Sequence, residues 1–129
     1  MWARILSILL PFGLLAMMHT PLAIGQQAFT QLDCRIVIER KNGSVSAAAI
    51  IQASQPTRAD YQLRTLKIDA TGSGTFEQSG SYNLEPGETI ETSRITSKIA
   101  PDGWIEFYLN VSERLTGTSC QAKEIVSPM

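Results

Sequence analysis

The sequence predicts an all-β protein with the architecture of an immunoglobulin-like β-sandwich of about seven antiparallel strands. Turn signals rich in Gly, Pro and Asn recur about 10–16 residues apart, and the segments between them are apolar in alternation. No window carries the apolar stripe of a sustained helix. Short strands separated by regular turns are typical of this kind of sandwich.

The first two predicted strands each have a clear apolar face, because successive side chains of a strand point to opposite faces of the sheet. The inner positions of the first strand, at about 32–40, are Cys34, Ile36 and Ile38. Its outer positions are Arg35, Val37 and Glu39. The inner positions of the second strand, at 44–53, are Val45, Ala47, Ala49 and Ile51, and the small alanines allow the opposite sheet to approach closely.

The next three predicted strands are irregular. In the third, at about 60–69, the apolar phase changes near Arg64, which predicts a β-bulge or a strand that changes sheets. The fourth, at about 75–83, has few large side chains and Gly80 in its middle, so we expect a short edge strand. In the fifth, at 88–99, Ile90 and Ile95 differ in phase, which predicts another irregularity.

The last two predicted strands alternate more regularly. The inner positions of the sixth, at 104–112, are Ile105, Phe107, Leu109 and Val111. Its outer positions are Trp104, Glu106, Tyr108 and Asn110. In the seventh, at about 118–126, one face carries Cys120, Ala122 and Val126. The other face carries Gln121, Lys123 and Ile125.

The first 25 residues have the pattern of a cleaved secretory signal peptide. Arg4 is followed by an apolar stretch from Ile5 to Met18, and the small-x-small triplet 23–25 predicts cleavage after Gly25. The alternative is a membrane anchor, but an apolar stretch of about 14 residues is shorter than the roughly 18–20 of a spanning helix. We therefore expect residues 26–129 to form a single secreted domain.

Composition argues against several classes of function. The chain carries a net charge of −1, which becomes −2 when Arg4 is removed, so a general nucleic-acid binder is not expected. Its one histidine, His19, leaves with the signal peptide. Catalytic triads and most zinc sites need histidine or more than two cysteines, so we predict no enzyme, no metal and no cofactor.

Cys34 and Cys120 are the only two cysteines, and they fall in the first and last predicted strands. A cysteine pair in a small secreted chain indicates a disulfide. Two free buried thiols and a redox pair are the alternatives, but neither cysteine has a second one close by in the sequence.

Two groups of charged residues are candidate sites. The basic residues of the middle strands are Arg64, Lys67, Arg94 and Lys98, and a shared face would receive an acidic or amide-rich partner. The acidic residues are Glu85, Glu88, Glu91, Asp102 and Glu106. Paired carboxylates would suit a hydrolase, although a solvated acidic surface is the more common arrangement.

Three segments follow one another along the chain, DCRIVIERKNGSVSAAAIIQA, YQLRTLKIDATGSGTFEQSGSYNLEPGETI and TSCQAKEI. Their order and spacing resemble the CsgH family of periplasmic curli-assembly chaperones. The resemblance implies an immunoglobulin-like sandwich in the periplasm that keeps the curli major subunit, an amyloid protein, from polymerising before export. The related CsgC carries a C-x-C pair, whereas Cys120 here stands alone, so no redox role is carried over.

The resemblance therefore implies a binding protein without chemistry. The expected partner is the curli subunit as an unfolded or oligomeric chain, and the protein itself is expected to be monomeric. The competing function is a structural or adhesive module, such as a fimbrial or surface subunit, which would self-associate through its edge strands.

Overall fold

The computed structural model describes residues 30–128, which form eight antiparallel β-strands in two sheets and contain no helix. The strands are β1 (Leu32–Lys41), β2 (Ser44–Ala53), β3 (Thr57–Asp69), β4 (Gly72–Leu84), β5 (Thr89–Glu91), β6 (Ile95–Lys98), β7 (Trp104–Glu113) and β8 (Ser119–Val126). The predicted signal peptide and its cleavage site lie outside the described residues. Residues 30–128 contain no helix long and apolar enough to cross a membrane.

The two sheets pack face to face, which confirms the predicted all-β sandwich. In sheet A, β2 pairs with β1 on one side and with β5 and β6 on the other. In sheet B the strand order is β4-β3-β7-β8. The long strands alternate as expected, because one face of each sheet is buried against the other sheet.

The core lies between the inner faces of β2, β3 and β7. Its fully buried side chains include those predicted for the second and sixth strands, namely Val45, Ala47, Ala49, Ile51, Ile105, Phe107, Leu109 and Val111. Sheet B adds Ala59, Tyr61 and Leu63 from β3. The alternation of the sequence therefore located most of the core correctly.

The third strand differs from its prediction. β3 pairs without interruption with β4 from Thr57 to Asp69, so it contains no bulge and does not change sheets. The regular alternation continues because a polar residue, Thr65, occupies the inner position and is fully buried. Leu66 and Ile68 consequently lie on the outer face of sheet B, where they are only partly buried.

The fifth predicted strand is divided into β5 and β6, as its change of phase indicated. The span from Ile90 to Ile95 contains one residue more than the facing span from Ala47 to Ile51. This extra residue returns both isoleucines to the inner side of sheet A. Thr92 holds the irregular segment in place, because its N–H donates to the carbonyl of Ala49 and its hydroxyl accepts from the Ala49 N–H.

The fourth predicted strand is an edge strand, as expected, but it is not short. β4 extends over 13 residues and pairs with β3 along its whole length. Gly80 does not interrupt the strand, since the pairing with β3 continues through it. A Cβ at this position would come within 3.0 Å of the Tyr61 ring. The glycine therefore makes room for a buried aromatic side chain in the neighbouring strand.

A disulfide between Cys34 and Cys120 joins the two sheets at one side of the sandwich, which confirms the predicted pairing. Cys34 lies on β1, an edge of sheet A, and Cys120 lies on β8, an edge of sheet B. Their Cα atoms are 6.2 Å apart. A disulfide is typical of proteins that fold in an oxidising compartment.

Candidate functional site

The four basic residues predicted to share a face lie in different places. Arg64 is exposed on the outer face of sheet B, whereas Arg94 and Lys98 belong to the sheet A side. Lys67 is in register with the buried Ile105, so it starts from the inner face of sheet B and is half-buried near the end of β3. The structure therefore does not bring the four together as one patch.

Arg94 is engaged by two carboxylates of sheet A. Its guanidinium contacts Glu39 on β1 at 3.0 Å and Glu91 on β5 at 2.9 Å. These two strands flank β2, so the Arg94 side chain crosses the outer face of that strand. All three groups are exposed, and such pairs contribute about 0–1 kcal/mol to stability. The positive charge of Arg94 is thus largely balanced by its own sheet.

The outer face of sheet B carries a different set of polar side chains. Residues in register across the strands form rows, because paired positions project to the same side of a sheet. One row contains the amides of Gln62, Asn110 and Gln121. The adjacent row contains Arg64, Tyr108 and Lys123. We call these two rows the amide–cation face.

The amide–cation face is concave. Its side chains, together with Leu109 and Ala122, line a recess of about 480 Å³ that is open to solvent. Arg64 and Lys123 are two strand spacings apart, which is about 10 Å, with Tyr108 between them. Neither cation forms an ion pair with another residue of the described part of the chain. Their charges are therefore available to a partner.

Tyr108 is held in position from two sides. The Lys123 ammonium lies 5.4 Å from the centre of its ring, within the range of a cation–π interaction. Its hydroxyl donates a hydrogen bond to Glu106. Glu106 also accepts a 2.8 Å hydrogen bond from the indole nitrogen of Trp104. The hydrogen bond from Tyr108 lowers the pKa of Glu106 most, and the one from Trp104 lowers it further. The hydrogen bond to Glu106 in turn raises the pKa of Tyr108.

Beyond Tyr108 the outer face of sheet B becomes apolar. Trp104 is 39% exposed and Ile125 is 53% exposed, while Leu66 and Ile68 are partly covered. An exposed strand face with amides, cations and then apolar side chains can contact an extended chain through several kinds of side chain at once.

The candidate acidic cluster is dispersed in the structure. Glu85 and Glu88 lie in the β4–β5 loop, and Glu91 lies on β5. Asp102 lies in the turn before β7, and Glu106 lies on β7 in sheet B. Asp102 accepts a hydrogen bond of 3.2 Å from the backbone of Ala70 and so fastens that turn. Among residues 30–128 no group of three His, Cys, Asp or Glu side chains could hold a metal ion.

Sequence reasoning found only one member of the amide–cation face as a candidate, Arg64. The outward positions of Tyr108, Asn110, Gln121 and Lys123 were predicted correctly from alternation. Their grouping depends on the pairing of β3 with β7 and of β7 with β8. Alternation within single strands carries no signal for that pairing.

Comparisons with known proteins show what the fold is similar to. The solved structure of CsgH from R. palustris matches with a TM-score of 0.59 and 17% sequence identity, over 76% of this chain and 93% of that one. The curli protein CsgC of E. coli matches with a TM-score of 0.57 and 14% identity, over 75% of this chain and 97% of that one. No protein-family model and no curated protein matches the sequence. The resemblance to CsgH is thereby confirmed as a likeness of fold.

Proposed function

We propose that this protein is a curli-related periplasmic chaperone that delays amyloid assembly of a curli subunit, without chemistry of its own. Three findings support the proposal: the fold shared with CsgH and CsgC, the disulfide that suits an oxidising compartment, and the open amide–cation face. The observation that carries it is the pair Arg64 and Lys123, which form no ion pair within residues 30–128 and lie beside a row of amides.

This face suits a transient encounter with an unfolded chain. Arg64 and Lys123 attract carboxylates of the chain, and charge complementarity raises the rate of encounter more than the final affinity. The amides of Gln62, Asn110 and Gln121 can donate to and accept from the backbone or the polar side chains of the same segment. The recess is open, so the bound chain is released easily.

The test is a thioflavin time course of curli-subunit polymerisation with sub-equimolar protein. We expect the wild-type protein to lengthen the lag before fibrils form. The double variant Arg64→Glu/Lys123→Glu should lose most of that delay. The matched control is Arg35→Glu/Lys98→Glu, which changes the net charge equally but at exposed positions of sheet A. Lys67 is left out of both variants, because its half-buried position would mix binding with stability.

The two double variants distinguish the possible locations of the binding surface. Loss of the delay only in Arg35→Glu/Lys98→Glu would move the binding surface to sheet A. Equal loss in both variants would indicate general electrostatic attraction and contradict a defined binding site. If wild type itself gives no delay, the proposed function is wrong.

A structural or adhesive module is the competing function, and the long edge strand β4 is the observation that favours it. Such a module would self-associate through this edge. Sedimentation velocity distinguishes the two functions. A monomer across the concentrations at which the lag is lengthened supports the chaperone, and concentration-dependent oligomers support the module.

A further inference from the structure

The outer edge of β4 carries no strand. Within residues 30–128, β4 pairs only with β3, in a continuous register from Leu84 opposite Thr57 to Gly72 opposite Asp69. An edge strand leaves a row of backbone N–H and C=O groups unpaired, and these groups can pair with another chain. With 13 residues, β4 offers such a row along an entire side of sheet B.

The remaining edges are protected, and β4 is not. Natural proteins block their edges with charged side chains, prolines, bulges or short strands. Five of the ten residues of β1 are charged, and β1 and β8 are joined by the disulfide. The opposite edge of sheet A consists of two short strands, β5 and β6. β4 has one charged residue, Glu77, no proline and no bulge.

The inner side of β4 contains groups that lack partners. The Phe76 side chain is 53% exposed although its neighbour in register, Thr65, is fully buried. Two residues along, the side-chain carbonyl oxygen of Gln78 is buried and accepts no hydrogen bond. A buried acceptor without a donor is unfavourable, because it has lost its hydrogen bonds to water. A strand added to β4 would place its own side chains beside both residues.

We propose that β4 accepts an extended, amide-bearing and nearly uncharged segment of another protein as a fifth strand of sheet B. The main-chain hydrogen bonds of strand addition provide affinity, and alternate side chains provide specificity. An Asn or Gln side chain beside Gln78 supplies the missing amide donor, in the manner of an amide ladder. The near-neutral edge favours a near-neutral segment.

This surface differs from the amide–cation face, and its test needs no curli subunit. The probe is a fluorescent 12-residue peptide of Gln and Ser with a lysine at each end. The matched probe has alternate backbone nitrogens methylated, which removes the N–H donors needed for strand pairing. Fluorescence anisotropy gives the affinity, and hydrogen exchange with residue resolution locates the contact.

Two protein variants of equal charge accompany wild type. Thr75→Lys/Ser79→Lys adds two exposed lysines to β4, and Ser112→Lys/Ser119→Lys adds two to the same face on β7 and β8. We expect wild type to bind the unmethylated probe and to protect β4 amides. We expect the β4 double to bind at least about tenfold more weakly and the control double within about twofold. Gln78→Met should reduce the preference for Gln over an all-Ser probe.

The proposal is overturned if the methylated probe binds equally, if protection appears on β1 or β8, or if both doubles lose affinity alike. It is also overturned if no binding is detected up to millimolar peptide. Protection of β4 that increases with protein concentration and without peptide would instead identify a second copy of this chain as the occupant. Because the fibril assay uses variants of Arg64 and Lys123, failure of one proposal is distinguishable from failure of the other.

Discussion

The carboxylate of Glu113 accepts a hydrogen bond of 2.8 Å from the hydroxyl of Thr57, which fastens the β7–β8 turn to the beginning of β3. Glu113 is only 2% exposed. It also accepts from the hydroxyl of Thr116 and from the backbone of the turn at Leu115, Thr116 and Thr118. Burial alone would raise the pKa of Glu113, but these hydrogen bonds outweigh it and lower the pKa to about 2.

Glu113 makes the protein sensitive to acid in a defined range. Its folded pKa of about 2 lies below the usual 4.5, so its contribution to stability is complete above about pH 5 and is lost as the pH falls towards 2. We expect Glu113→Gln to lower the free energy of unfolding at pH 7 by about 2–3 kcal/mol. Urea titrations at several pH values check this. An unchanged pH dependence between 5 and 2 would contradict it.

Gly103, immediately before β7, allows the backbone at the end of β3 to approach. A Cβ at this position would lie 2.5 Å from the carbonyl oxygen of Ile68 and 2.9 Å from the Asp69 Cβ. We expect Gly103→Ala to cost about 1–3 kcal/mol of stability, because the backbone must shift. Gly74→Ala is the control, since its Cβ meets nothing within 4 Å. Thermal unfolding of both variants measures the difference, and equal melting temperatures would contradict the close approach.

The Cys34–Cys120 disulfide closes a loop with a sequence separation of 86. The chain-entropy model gives about 4–5 kcal/mol for a loop of this length as an upper value. We expect Cys34→Ala/Cys120→Ala to lower the melting temperature by at least about 10 °C. Where the double variant is still folded, it should retain the delay of fibril formation. Loss of the delay in a folded variant would connect the disulfide to binding.

Salt should weaken the proposed encounter at the amide–cation face. The screening length falls from about 10 Å at 0.1 M to about 3 Å at 1 M salt. We therefore expect the delay produced by wild type to shorten with salt, relative to curli subunit alone at each concentration. The Arg64→Glu/Lys123→Glu variant should show no such dependence. A salt-independent delay by wild type would argue for contacts dominated by apolar or backbone groups.

How much of the fold was predictable depended on how fully each strand is covered. In β7 every second residue is buried, so its sequence alternation is clear. In β3 a buried Thr65 and a half-exposed Leu66 reverse the apolar pattern, although the backbone is regular. The pattern suggested a bulge there because the covered position holds a polar residue, Thr65, and the next position, on the outer face, holds an apolar one.

The candidate site was less predictable, because it depends on which strands are neighbours. Arg64 was identified as a basic candidate, but Lys123 lies about 60 residues further along and becomes its neighbour only through β7. Conversely, Arg94 and Lys98 follow Arg64 by about 30 residues but lie on the sheet A side. The free edge of β4 was expected, and its length and buried Gln78 acceptor became visible only in three dimensions.

The bond between Cys34 and Cys120 also changes what a cut in the backbone does. All the loops from β1–β2 to β7–β8 lie between Cys34 and Cys120, inside the covalent ring that the bond closes. A single cleavage in any of these loops therefore yields two fragments that remain one molecule. Their reassembly stays independent of concentration, and separation requires a reductant as well as a protease.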